Sequence, residues 1–345
     1  MSHPVAIRQA VGQVAHPGPA PGPAQARCSG TEAVLENGAI AMRWTFAGGR
    51  LKPDLLTDKQ SSATLSLAGH ECFHFLLART PDPRGRAIRA SDLTLAGQPQ
   101  SKRLPPEPGS ARLGDQFGGW ELSVCWKSAA AHLDVRWRAV LRDGANYIRQ
   151  EVRVCAKDER LELSEMVLLE FAAHTAEVIG SVDGSPVRTG NLFVACEHPM
   201  SRNQVTPAAG GSLVRCGYPY TVALEPGRPA AFGSVIGVAP KGQLRRGFLH
   251  YLERERCQPY HTFLHYNCGY EVGCRFWQLR KFGTPEEFDR FIGQQEAIWL
   301  DRIAVFGHEL VEKRGVTLDS FVHDHGWDDT ERVWQFHKGF PHGLA

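Results

Sequence analysis

The sequence predicts a mainly β chain with a C-terminal α/β part, in which a large antiparallel β-sandwich is followed by a strand–helix–strand unit. Three observations carry this reading. Short apolar runs alternating with polar residues recur from about residue 31 to residue 255, the period of half-buried antiparallel strands. Gly- and Pro-rich turns separate those runs. Beyond Arg256 the period changes to that of a helix set between two short apolar stretches.

Taken in order, Met1 to Cys28 is expected to be a disordered tail outside the fold. The stretch His16-Pro-Gly-Pro-Ala-Pro-Gly-Pro-Ala24 has too little apolar surface to order itself. The sandwich is expected over residues 29–255. Asn37-Gly38 breaks the run 33–46 into a hairpin, both residues tolerating positive φ. Leu122, Val124 and Trp126 alternate with polar neighbours, as do Leu133, Val135, Trp137, Ala139 and Leu141. Asp143-Gly144 then turns the chain into Ile148, Val152 and Val154. Apolar runs at 161–171, 192–196, 221–224 and 232–238 continue the series. Arg245-Arg246 and Arg254-Glu-Arg256 are expected to be solvated surface charge. Gly180-Ser-Val-Asp-Gly184 precedes no helix and is a turn, not a phosphate loop.

Residues 256–345 are expected to form a second domain. A short strand is predicted within His261–Asn267. Thr284-Pro285-Glu286-Glu287 then opens a helix, with Thr as N-cap, Pro at the first helical position and Glu closing a capping box. Phe288, Phe291, Ile292, Trp299, Ile303, Phe306 and Leu310 follow at helical spacing. Gly293 and Gly307 are candidate breaks, and Gly315 supplies the C-cap. A second strand is expected within residues 316–324. Strands joined by a long helix are parallel with a right-handed crossover. A doubly wound sheet and a (β/α)8 barrel both begin this way. Fewer than 90 residues follow Arg256, against roughly 250 for a whole barrel.

In either parallel fold, sites form at the carboxyl ends of strands. Here those ends are Asn267-Cys268-Gly269-Tyr270 and His323-Asp324-His325-Gly326-Trp327-Asp328-Asp329. A carboxylate beside an indole suits a sugar: Asp accepts hydrogen bonds from hydroxyls, and indole stacks on the apolar face of the ring. A helix cap is the alternative role of an Asp at such a place. The loop Glu197-His198-Pro199 is open to ligand contact or to ordinary loop packing.

Composition excludes several classes. Thirty-nine basic and 37 acidic residues give a net charge of +2, so no nucleic-acid partner is expected. No run of about 18 apolar residues offers a membrane span. The nine cysteines contain no CxxC and are expected to be reduced, mostly buried thiols. Fifteen His residues are scattered without zinc spacing, so neither a metal nor a cofactor is expected. With no signal peptide at the first residues, the chain as written is expected in the cytoplasm, or in the periplasm or outside the cell if the true start lies elsewhere. The oligomeric state stays open.

The stretch Leu318-Asp-Ser-Phe-Val-His-Asp324-His-Gly-Trp327 resembles the second barrel strand of α-galactosidase-like glycoside hydrolases, the group of families 27 and 36 that is related to family 31. Their strand ends in Asp-Asp-Gly-Trp. His265-Tyr-Asn267-Cys-Gly-Tyr270 resembles their first strand, and the preceding β region is similar to the N-terminal supersandwich of family 36. The resemblance implies a β-supersandwich followed by the start of an incomplete (β/α)8 barrel holding two βα units. It implies a retaining enzyme for a terminal α-linked sugar, bound by Asp324, His325, Trp327, Asn267 and Tyr270. Two positions depart from the pattern. The second Asp is His325, which exchanges an acceptor-only carboxylate for an imidazole, and the family's Trp after the first strand is Gly269. The nucleophile and acid/base of that family lie on its fourth and sixth barrel strands, so no catalytic carboxylate is expected in these 345 residues and the chain alone is expected to be inactive. A non-catalytic carbohydrate-binding or structural sandwich with a degenerate barrel remnant is the alternative.

Overall fold

The computed structural model describes residues 14–78, 86–128, 132–257, 262–324, 326–329, 332 and 334–343. They divide into two compact units, one before residue 260 and one after it. No described helix is long and apolar enough to cross a membrane.

The first unit is antiparallel β-sheet packed around one core. Gln25–Cys28, Glu32–Glu36, Ile40–Ala47, Arg50–Asp58 and Ala63–Ser66 form a meander in which each strand pairs with the next. The largest sheet is centred on Gly119–Ser128, Leu133–Arg142, Tyr147–Ala156 and Ala230–Val238. A third sheet is built on Leu161–Ala173 and Gly211–Tyr218. The alternation holds residue by residue. Leu133, Val135, Trp137, Ala139 and Leu141 are buried, while Asp134 and Arg136 between them face solvent. Trp44, Trp126 and Trp137 fill the core, with Trp44 edge-on to Trp137 at 5.3 Å. Each such ring removes about 150–250 Å² from water, and aromatic pairs in this geometry add ~1 kcal/mol beyond burial.

Asn37-Gly38 does link two antiparallel strands, but for a different reason from the expected positive φ, which neither residue adopts. The Asn37 carboxamide oxygen accepts the amides of Ala39 and Ile40, and its amino group donates to the Ala145 carbonyl at 2.7 Å. Gly38 is needed because a Cβ there would lie 2.9 Å from the Pro21 carbonyl. That contact corrects the expected tail. Residues 1–13 lie outside the described residues, but the Pro-rich stretch is docked on the first unit by backbone hydrogen bonds. Gly38 donates to Pro21, and Gly144 donates to Gly22. Gln25–Cys28, also placed outside the fold by the sequence reading, forms the first strand.

A second correction falls on residues 244–255, which form helix α1 (Leu244–Glu255) and not sheet. Gly247, Tyr251 and Arg254 are buried along one face of it. Arg254, expected in solvent, donates to the Asp143 carbonyl at 2.8 Å and lies 4.1 Å above the Phe117 ring. The helix rests on a polar network. Arg149 holds Glu197 through two hydrogen bonds of 2.8 and 2.7 Å and pairs with Glu255 at 2.9 Å. Tyr251 donates to Glu197 and Tyr147 to Glu255. Burial together with the adjacent carboxylates raises both tyrosine pKa values. Glu197 is thereby spent on structure. All nine cysteines are free thiols; four are buried, and Cys125, Cys257 and Cys274 are exposed, more than expected.

The second unit is α/β. Its strands, His265–Asn267 and Ser320–Val322, are parallel, with Asn267 opposite Val322. Both are shorter than expected, and His261 lies outside the described residues. Between them run α2 (Gly273–Phe282), which the sequence reading missed, then α3 (Pro285–Gly293) and α4 (Gln295–Phe306), ending in a wider turn, Gly307–Glu312. The capping box is formed: Thr284 Oγ1 accepts the Glu287 amide at 3.2 Å, and Glu287 accepts the Thr284 amide at 2.9 Å. Gly315 adopts φ +64° and donates to Val311, closing the last turn. The single long helix breaks after Gly293 and changes to the wider turn at Gly307, the two positions expected, and later residues pack at the first of these breaks. The Gly339 carbonyl accepts the Glu296 amide at 3.0 Å, and a Cβ on Gly339 would collide with the Ile292 carbonyl.

Candidate functional site

The parallel register brings the two strand ends together. After Asn267 the chain turns through Cys268–Tyr270, and the Asn267 side-chain oxygen accepts the Gly269 amide at 2.6 Å. The Asp324 amide donates to Cys268 Sγ at 3.3 Å. A Cβ on Gly269 would lie 2.3 Å from Asp324 Oδ2 and 3.0 Å from Asn267 Oδ1. The Asp324 carboxyl therefore sits over the Gly269 backbone, in the volume that a side chain at this position would need. Asn267 and Asp324 are brought side by side through that glycine.

Cys268 lies beneath them, fully buried. Burial pushes its thiol up to about 11, and the neighbouring Asp324 charge adds to the rise. A thiol so held is protonated at neutral pH and makes no nucleophile. Tyr266, two residues earlier, donates to Glu271; desolvation and that carboxylate push its hydroxyl up to about 12. The same hydrogen bond, followed by the guanidinium of Arg302, holds the Glu271 carboxyl below its usual range.

On the next positions an aromatic wall rises. The His323 ring stacks on Trp299, 4.0 Å away and 3° from parallel, and partial burial lowers its pKa. Trp327 meets Phe336 at 5.1 Å and Trp334 at 6.0 Å. His323, Trp327, Trp334 and Phe336 line an open cleft of about 310 Å³. Trp334 is 80% exposed and held at φ +62°, a conformation uncommon for a bulky residue. It reaches the cleft because the chain folds back: Asp328 bridges Phe336, and the Asp329 amide donates to the Gln335 carbonyl at 2.7 Å. The Arg332 amide donates to the Asp329 carbonyl at 2.9 Å and the Gln335 amide to the Arg332 carbonyl at 3.2 Å, so the return runs through turns; Thr330, Glu331 and Val333 lie outside the described residues. Gly326, at φ +96°, packs against the Phe276 ring and turns the chain into Trp327.

Of the five residues singled out by sequence, Asn267 and Asp324 are adjacent, and Trp327 lines the cleft that begins at His323. Tyr270 is 93% exposed and lines none of this cleft. His325 lies outside the described residues. Sequence reasoning missed Trp334 and Phe336, whose i, i+2 spacing after Trp327 was the available signal. Among the described residues no three His, Cys, Asp or Glu side chains converge as metal ligands.

No family model and no curated protein matches the sequence. Among solved structures, a family 36 α-galactosidase from Geobacillus stearothermophilus in complex with 1-deoxygalactonojirimycin overlaps 72% of this chain at 12% identity, with a TM-score of 0.45. The chain spans about half of that enzyme, 48% of its length. A putative aldose 1-epimerase from Klebsiella pneumoniae overlaps 66% of this chain and 84% of its own at 7% identity and TM-score 0.35. A TPR-domain containing protein from Parabacteroides distasonis overlaps 60% of this chain and 47% of its own at 10% identity and TM-score 0.36. Overlaps at this level span proteins of different kinds and single out no activity.

Proposed function

We propose that the strand-end rim of the second unit grips a terminal α-linked sugar of the galactoside type, and that these residues bind it without cleaving it. The observation that carries the proposal is the juxtaposition of a carboxylate and a carboxamide, Asp324 and Asn267, at the two strand ends; the cleft walled by Trp327 and Trp334 begins at His323, the residue before Asp324. Hydroxyls of a pyranose would donate to Asp324, while the exposed Asn267 amino group, its oxygen being taken by Gly269, would donate to the sugar. The indoles offer flat apolar faces for the C–H side of the ring.

Hydrolysis with retention needs two carboxyl groups about 5–5.5 Å apart, one a nucleophile and one a proton donor. In the family that residues 318–327 resemble, those groups stand on later barrel strands, and two parallel strands are present among the described residues. On this reading the first unit is the supersandwich of such an enzyme, and residues 256–345 are the beginning of its barrel.

Calorimetric titration with methyl α-galactoside tests the proposal, run in parallel with an assay for nitrophenol release from the aryl α-galactoside. The expected result is saturable binding that is lost in Asp324→Ala, with no release. Absence of binding, or binding unchanged in Asp324→Ala, would overturn the site. Release abolished by Asp324→Ala would overturn the non-hydrolytic part alone.

A further inference from the structure

A second cavity, of about 440 Å³, opens between α2, α3 and α4, and its lining differs from that of the aromatic cleft. Three arginines reach it, Arg275, Arg290 and Arg302, with Glu271 and Glu287 as the acidic residues. Both carboxylates are already committed. Glu271 is held by Arg302 and the Tyr266 hydroxyl, and Glu287 closes the capping box on Thr284. Arg302 is spent on Glu271 and Asp301. Arg275 and Arg290 have no hydrogen-bond or ion-pair partner among the described residues. The floor between them is apolar, with Val272 and Phe291 buried and Ile298 partly so.

Two unspent guanidiniums above an apolar floor match one ligand chemistry. We propose that this cavity binds a small organic anion, a phosphate monoester or a carboxylate carried on an apolar body. Guanidinium recognises either anion by paired N–H donors, stronger than neutral hydrogen bonds, and the body covers Phe291 and Ile298. The site is separate from the sugar rim and does not depend on it.

The test is titration of the full chain with phenyl phosphate, benzoate and inorganic phosphate, using methyl α-galactoside as a neutral control. Phenyl phosphate or benzoate is expected to bind one equivalent, more tightly than inorganic phosphate and more weakly as salt is raised. The arm that binds tighter identifies the anion. The double variant Arg275→Gln, Arg290→Gln is expected to bind at least about tenfold more weakly. Glu287→Gln keeps the capping geometry, since Gln also accepts from the N-cap amide, but removes a negative charge from the wall, so it is expected to bind more tightly. No saturable binding of either organic anion, equal affinity in the double variant, or weaker binding in Glu287→Gln would each overturn the proposal.

Discussion

Gly269 and Asp324 compete for one volume. A methyl group at position 269 would stand 2.3 Å from Asp324 Oδ2, so the carboxyl must swing away in Gly269→Ala. The expected outcome is a loss of sugar affinity close to that of Asp324→Ala with little change in thermal stability, checked by calorimetry beside a melting curve. Beneath that pair, Cys268 reports on burial. With its thiol pushed up to about 11, it should resist iodoacetamide at pH 8, where the exposed Cys125, Cys257 and Cys274 react; mass mapping of the alkylated sites checks this. The sign for stability follows. The folded state favours the protonated thiol, so the contribution is full below the unfolded thiol's value and is lost as pH rises through about 11.

At the scale of elements, those whose physics is local were legible. Leu133 to Leu141 alternates because one sheet face is buried, and Thr284 opens α3 because its own side chain and Glu287 satisfy the first amides. Thr284→Ala should destabilise the second unit by about 1 kcal/mol, the usual cost of a lost N-cap, read from its unfolding transition. Helix α1 was not legible. Its inner face carries Tyr251, Arg254 and Glu255, the last two reading as surface charge until the partners Glu197, Asp143, Tyr147 and Arg149 are known, and those lie 54 to 111 residues away along the chain. Breaking one partner of a largely buried, two-pronged pair leaves a charge uncompensated. Arg149→Met should therefore cost roughly 3–5 kcal/mol, measured by denaturant unfolding of the first unit. The break between α3 and α4 was legible at Gly293, whereas the packing of Gly339 against it, some 45 residues downstream, was not. The candidate site divides the same way. Asn267 and Asp324 could be paired from the parallel register, whereas the i, i+2 spacing of Trp334 and Phe336 does not by itself show that the chain folds back at Asp328 and Phe336 to bring them to Trp327.

Across the whole molecule the two units differ in how much holds them together. The first has a continuous core drawn from its sheets and α1, while the second buries a small cluster around Cys268, Phe276, Phe291 and Trp299. Its two parallel strands pair with each other and, among the described residues, with no further strand, and unpaired parallel edges are poor at resisting opening. Limited proteolysis should cut within residues 262–343 well before the sandwich, leaving a fragment close to residues 14–257; equal resistance of both units would contradict this. The central claim concerns the small unit, and it can be read directly there. With the eight tryptophans labelled as 5-fluorotryptophan, methyl α-galactoside should shift the ¹⁹F resonances of Trp327 and Trp334 and leave those of the buried Trp44, Trp126 and Trp137 in place. Resonances of Trp327 and Trp334 that stay fixed at saturating sugar, or shifts confined to the sandwich tryptophans, would contradict it.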